Sequence, residues 1–410
     1  MPEFMYMKES ITDYAGIMAK TIREWGEKEV LPSRKEYDED YEHKLIYPAM
    51  KKLFVDMGLQ KLVWPKEYGG AGIEPMALPT TLVRALEEVG KADPGMGFVF
   101  AGTFSLFTSI ALEPHVNREL CTEFAPIYCE SGEVRTGSLI FPEQGYLVGK
   151  EVANIKGRSI RVRAEPGDNE WVVNGEELRP VNSGAMADIF GVVCATDSGE
   201  IAYVLIPSNL EGVKRGDPIL KTGLASDKNA NVSLENVKIP DKYVVWRGED
   251  AKYIGELVSW HTLCCCAICV GAMMDTYKTL KEWSTTRIIR GKPLKENPVD
   301  AIVLADVAEE IALSRILTYN LANTLSKSEI YGDRWSDEVS TLAEMIGMYV
   351  ANAASKVIGR AMELMASMGY AREGDIEKHW RDVKTIQSSM GGSMPVLMDI
   401  ARLFYECETL

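Results

Sequence analysis

The densest concentration of reactive side chains is Cys264-Cys265-Cys266-Ala267-Ile268-Cys269, four of the chain's eight cysteines within one apolar stretch. Cys266 and Cys269 have the spacing of a thiolate metal pair, yet no second such pair and no histidine cluster completes a tetrahedral set. No metal is therefore expected. A disulfide framework is equally implausible for thiols so crowded in a chain this long. Packing is the remaining reading, because a free cysteine behaves as a small hydrophobe that lets helices approach closely.

Charge narrows the partners. Lysine and arginine total 45 against 60 acids, a formal net charge of -15, and a surface of that sign repels phosphate backbones. Nucleic acid is not an expected partner. Met1 to Ser10 mixes acids with hydrophobics and has neither the apolar core of a signal peptide nor an Arg/Ser-rich pattern. The best apolar run is Leu263 to Met274, shorter than a bilayer requires. These features lead to the expectation of a soluble, cytoplasmic protein with no membrane partner.

Three kinds of element must position any site. Over residues 1–133 apolar positions such as Ile11, Ala15, Met18, Ile22 and Trp25 recur at three- and four-residue intervals, which predicts helices. The proline- and glycine-punctuated stretch Leu59 to Gly72 must be a loop between them. Over 134–247 the period changes to two, as in Ser159-Ile160-Arg161-Val162-Arg163, and this predicts a β-domain. Asn174-Gly175 within it reads as a hairpin turn, since both residues tolerate positive φ. Over 248–410 long helical periods return, at Gly255 to Thr286, Asp300 to Ser328 and Asp337 to Gly369, as in a four-helix bundle with apolar faces broad enough to call for an oligomer.

This order of segments, with four particular stretches, resembles the acyl-CoA dehydrogenase family over essentially the whole chain. Leu59 to Gly72 is similar to the family's "GL..L..P.EYGG.G" loop, and Gly223 to Pro240 to its "GLRAS....L.FE.V.VP" strand. Arg287-Ile288-Ile289-Arg290-Gly291-Lys292 is set like the "R..FG" segment, and Gly369-Tyr370 through Arg381-Asp382 resembles "GG.G...E.....R.(DE)". The resemblance implies an α+β fold of helical domain, β-barrel-like domain and four-helix bundle. It also implies an acyl-CoA thioester substrate, FAD as cofactor and electron-transferring flavoprotein as electron acceptor. A glutamate in such enzymes removes the α-proton while the β-hydride passes to the flavin, because a thioester α-proton is too weakly acidic to leave unaided.

Residue by residue, the expected site is rewritten. The family's base lies in a "YEGTS" loop after "RD.K"; here Arg381-Asp382-Val383-Lys384 leads to Met390-Gly391-Gly392-Ser393, so Met390 takes the glutamate's place. A thioether accepts no proton. Some relatives carry the base near the start of the first long bundle helix, and gap-free counting from Arg287 puts His261 there. With an ordinary pKa of about 6.5 its imidazole is the candidate base, against a plain helix-start histidine. The strand expected along the flavin ring reads Leu139-Ile140-Phe141-Pro142-Glu143, and the strand expected to flank the ring reads Arg179-Pro180-Val181-Asn182-Ser183. Leu139, Ile140, Arg179, Val181, Ser183 and the retained Arg287 are thus the candidate FAD contacts, with Arg290 as another phosphate contact, while Glu363 would set a carboxylate against a diphosphate. Gly391, Gly392 and Arg402 are candidate substrate contacts.

Three functions follow from this pattern. One is an acyl-CoA dehydrogenase-like oxidoreductase with a rebuilt site, acting on a cyclic, aromatic or dicarboxylic acyl group. Another is a catalytically silent or half-site subunit of a homo- or hetero-oligomer with an intact homologue, and the last is a non-redox CoA-thioester binder or lyase.

Overall fold

The computed structural model describes residues 11–144, 152–389 and 392–407. Its first third holds α1 (Asp13–Trp25), α2 (Arg34–Asp38), α3 (Tyr47–Lys51), α4 (Leu78–Ala92), α5 (Pro94–Ala111) and α6 (Arg118–Cys129). The Asp93 carboxylate caps α5 by accepting from the Met96 amide at 2.9 Å. This helix corrects an expectation drawn from hydropathy: its 18 uncharged residues have the length and composition of a membrane span, as does the stretch Gly248–Thr286. Yet α5 is buried along its whole length, and its glycines allow close helix packing. A Cβ on Gly97 would stand 2.8 Å from Ile268 Cγ1.

Strands β1 (Gly137–Ile140), β2 (Glu143–Gln144), β3 (Ala153–Ile155), β4 (Arg158–Ile160), β5 (Arg163–Pro166), β6 (Glu170–Leu178), β7 (Ile189–Ala195), β8 (Ile201–Pro207), β9 (Val213–Arg215), β10 (Val232–Pro240) and β11 (Val244–Arg247) follow. The main sheet runs β11-β8-β7-β5-β6-β10-β9 with β1 paired to β7, and β2-β4-β3 form a separate small sheet. Asn174-Gly175 makes no hairpin. Both residues lie inside β6, opposite a register shift in β10, where Asn174 Oδ1 accepts from the Asn236 amide at 2.8 Å. Two-residue turns with positive φ at both positions stand instead at Lys156-Gly157, between β3 and β4, and at Arg290-Gly291, between β12 (Ile288–Ile289) and β13 (Lys292–Pro293).

The bundle consists of α7 (Ile254–Thr286), α8 (Pro298–Ser326), α9 (Ser328–Tyr331), α10 (Asp337–Met365), α11 (Ile376–Ser388) and α12 (Ser393–Tyr405). Small residues decide how α7 packs: a Cβ on Gly271 would stand 2.2 Å from the Glu87 carbonyl oxygen, and one on Gly90 2.3 Å from that of Ile268. Cys264, Cys266 and Cys269 are buried in the same helix with no disulfide, and burial pushes the Cys269 thiol up to about 12. These thiols are core side chains.

Buried charges lock the three segments together. Lys378 on α11 lies 3.0 Å from Asp93 and 2.6 Å from Asp382, while the Leu224 amide donates to Asp382 at 2.5 Å. A Cβ on Gly223 would stand 2.2 Å from the Arg381 carbonyl oxygen, so only glycine lets the β-domain loop touch α11 backbone to backbone. Arg34 joins Asp275 at 2.9 Å and Asp375 within hydrogen-bond range, tying the N-terminal helices to the bundle.

Candidate active site

That docking leaves a cleft of about 880 Å³ between the β-domain and the bundle. Four walls enclose it. The β-domain contributes Phe141, Pro142, Arg179 and Val181; α7 contributes Val258, His261 and Thr262; α10 contributes one helical face; and the α11–α12 junction contributes Ser389, Gly392 and Val396. Gly392 has φ +69°, which suits the sharp entry into α12. Met390 and Gly391 lie outside the described residues.

The face of α10 is read at helical spacing: Thr341, Glu344, Gly347, Met348 and Ala351 all line the cleft. Gly347 lets α10 close on α7, since a Cβ there would stand 2.5 Å from Thr262 Cγ2. Glu344 is the one ionisable group in this row. Opposite it, Arg158 of β4 donates to both oxygens of Asp399 on α12, with Nη1 3.2 Å from Oδ1, and its Nη2 lies 3.4 Å from Glu344 Oε1. Arg402 adds a 2.5 Å hydrogen bond to Asp399. Burial, and then the adjacent Asp399 charge, raise the Glu344 carboxyl to about 7, against the opposing pull of Arg158 and Lys156.

His261 does reach the cleft wall, edge-on to Phe98 with ring centroids 5.5 Å apart and its Nε2 3.5 Å from Cys265 Sγ. Burial with no carboxylate beside it lowers the imidazole to about 4, so it is neutral at pH 7 and a far weaker base than its ordinary pKa implies. Arg179 and Val181 also line the cleft, and Arg179 spends Nε on Asn231 at 2.6 Å while its other nitrogens have no protein partner among the described residues. Leu139 and Ile140 are buried in β1 behind the wall formed by Phe141 and Pro142. Ser183 faces inward too, its hydroxyl donating to Asp227 at 2.9 Å.

The remaining candidates stand apart from the cleft within one chain. Arg287 caps α7 with its guanidinium 5.8 Å from the Trp283 ring, and Arg290 sits in the β12–β13 turn. Glu363 is exposed and paired with Arg360 at 2.9 Å. Arg402 acts through Asp399 rather than as a wall residue. Sequence reading missed Glu344, Asp399 and Arg158; the available signal was a lone carboxylate among small residues on one face of α10.

The cleft suits a flat, partly polar ring system. Phe141, Pro142 and Val181 offer an apolar surface, and Arg179 offers unspent guanidinium N–H groups beside it, the donor set that a pyrimidine carbonyl or a diphosphate accepts from. Of the other cleft cations, Lys221 is committed to Asp227, Arg158 to Asp399 and Lys156 to Asp337, while Lys252 lies 5.2 Å from the centre of the Tyr253 ring.

Comparison with known proteins gives two family matches: "Acyl-CoA dehydrogenase, N-terminal domain" over residues 12–128 and "Acyl-CoA dehydrogenase, C-terminal domain" over 251–403. Cyclohexane-1-carbonyl-CoA dehydrogenase of Syntrophus aciditrophicus (strain SB) is 26% identical over 372 residues, covering 87% of this chain and 88% of its own. Cyclohex-1-ene-1-carbonyl-CoA dehydrogenase of the same organism is 24% identical, covering 93% and 87%. Among solved structures, butyryl-CoA dehydrogenase of Megasphaera elsdenii superposes with a TM-score of 0.80 at 21% identity, covering 96% of this chain and 99% of its own.

Proposed function

The chain belongs to the acyl-CoA dehydrogenase family, and from that premise we propose that it is an FAD-dependent oxidoreductase of a cyclic acyl-CoA thioester with a rebuilt set of catalytic side chains. The observation that carries this reading is the cleft itself: Phe98, Val258, Ile386 and Met348 give it an apolar lining, and Arg158, Glu344 and Asp399 meet at one point of its wall. An apolar pocket with few polar groups binds a hydrocarbon acyl group and orients it by those groups. Electron-transferring flavoprotein is the acceptor in keeping with the family.

Pro142 and Val181 would bear the flavin ring of FAD, and Arg179 would hold one of its carbonyl or phosphate oxygens. When bound, FAD supplies the hydride acceptor. The chain's own residues have the other tasks: excluding water, fixing the thioester and removing its α-proton. Van der Waals contact with Thr262, Met348 and Val396 would fix the acyl chain, and each buried methylene contributes about 0.8 kcal/mol to holding it.

The test is a visible spectrum of the purified chain after FAD reconstitution, followed by anaerobic addition of cyclohexane-1-carbonyl-CoA and cyclohex-1-ene-1-carbonyl-CoA. A retained flavin band that bleaches with either thioester is the expected result. A chain that stays colourless, or a bound flavin that neither thioester reduces, would overturn this reading in favour of a non-redox or silent subunit.

A further inference from the structure

We propose that Glu344, set beside Asp399 and Arg158, is the acid–base residue of this cleft, removing the α-proton of a bound acyl thioester. This rests on the reading that the cleft holds an acyl thioester. The three groups come from three elements, α10, α12 and β4, and their side chains are 16%, 7% and 18% exposed. Nothing in local sequence brings them together; only the docking of the small β-sheet onto the bundle does.

Their partners are unequal. Asp399 accepts two hydrogen bonds from Arg158 and one from Arg402, so its negative charge is well compensated. Glu344 has only the 3.4 Å approach of Arg158 Nη2 among the described residues, and burial with the Asp399 charge beside it holds its carboxyl up. Two carboxyls in contact cannot both ionise cheaply, and the proton settles on the less compensated one. Among the described residues, the further charges on this side of the cleft are Lys156 of the β3–β4 turn and its partner Asp337. A purely structural ion pair would direct both carboxylates at their cation, whereas Glu344 is undersupplied and borders the cavity. A base is most effective when its pKa lies near the working pH, and the elevated carboxyl satisfies this while His261 does not.

The step balances without an oxidant. The substrate α-C–H bond breaks, the proton bonds to a Glu344 carboxylate oxygen, and the electron pair stays on the substrate, shared between the α-carbon and the thioester carbonyl as an enolate. Return of a proton from Glu344 reverses it. Asp399 and Arg158 are positioning residues, because they act through Glu344.

The experiment is α-proton exchange: the full chain is incubated with cyclohexane-1-carbonyl-CoA in D₂O, with and without FAD, and deuterium uptake is read by mass spectrometry. Glu344→Gln should lose exchange by 100-fold or more, Glu344→Asp should retain part of it, and Asp399→Asn should shift the pH midpoint of exchange downward by relieving the neighbouring charge. Circular dichroism confirms that each variant is folded. Exchange in Glu344→Gln equal to wild type overturns the assignment while leaving the proposed oxidoreductase standing. Calorimetry reads thioester binding separately, so absent binding indicts that reading instead. In that case an infrared titration of the carboxyl band, with Glu344→Gln subtracted, still decides whether Glu344 holds a proton at neutral pH; a side chain fully ionised at pH 6 overturns the assignment outright.

Discussion

Arg158 Nη2 lies 3.4 Å from Glu344 Oε1 while the same guanidinium donates to both oxygens of Asp399. One cation therefore serves two carboxyls unequally. The protonation of Glu344, and with it the chemistry of the cleft, depends on this asymmetry.

Stability should record the Glu344 proton directly. Its folded-state pKa of about 7 exceeds the ordinary 4.5, so the folded chain holds a proton that the unfolded chain releases across that interval. The group's stabilising contribution is complete below pH 4.5, declines through the window and stays lost above pH 7. Glu344→Gln cannot ionise and should gain on wild type by roughly 1–3 kcal/mol between pH 4.5 and 8 in urea unfolding. A pH-independent difference between the two proteins would contradict this.

His261 should show the opposite slope. Its imidazole falls from 6.5 to about 4 on burial, so the unfolded chain binds the extra proton between those values and stability rises with pH across them. Replacing His261 with asparagine should flatten that rise by about 1–3 kcal/mol, read as the difference in unfolding free energy between pH 4 and pH 6.5.

Removing Arg34 should be costly. It compensates Asp275, which is also 3.0 Å from His379 and is held well below the usual carboxylate range although burial opposes this. Arg34→Met leaves that carboxylate buried with one partner fewer, and breaking such a pair costs about 3–5 kcal/mol. Asp275 contributes stability that is present above its ordinary pKa of 3.8 and lost as pH falls toward its depressed value. The variant should consequently be less stable at neutral pH and show a shallower fall in stability as pH drops below 3.8, as read from urea unfolding at a series of pH values monitored by circular dichroism.

Flavin affinity should depend on Arg179. A charged hydrogen bond is worth about 1.5–3 kcal/mol, so Arg179→Ala should weaken FAD binding roughly 10- to 100-fold in a fluorescence titration. An unchanged dissociation constant would move the flavin contact elsewhere.

Assembly should depend on the outer face of α8, where Val299 and Ile302 are 76% and 70% exposed in the single chain and Leu313 and Ile316 continue the stripe. Sedimentation equilibrium should give a multiple of 45.5 kDa, and Ile302→Asp should shift the distribution toward that single-chain mass.

The sequence by itself determined the succession of helices, sheet and bundle, because periodicity is a local property of the chain: Ile11 to Trp25 repeats at helical spacing and Glu170 to Val173 at strand spacing. It also determined the loop and strand motifs, such as Gly223-Leu224 and Arg381-Asp382, whose residue types are dictated by backbone contact between them. Tertiary structure alone decided that Asn174-Gly175 continues a strand opposite a bulge, and that Leu139 and Ser183 are buried and do not line the cleft. It alone also brought Arg158, Glu344 and Asp399 to one point, since 241 positions separate the first from the last. The physical reason is range: propensity and side-chain period act over a few residues, whereas a shifted pKa is the sum of burial and charges delivered by elements far apart in the chain.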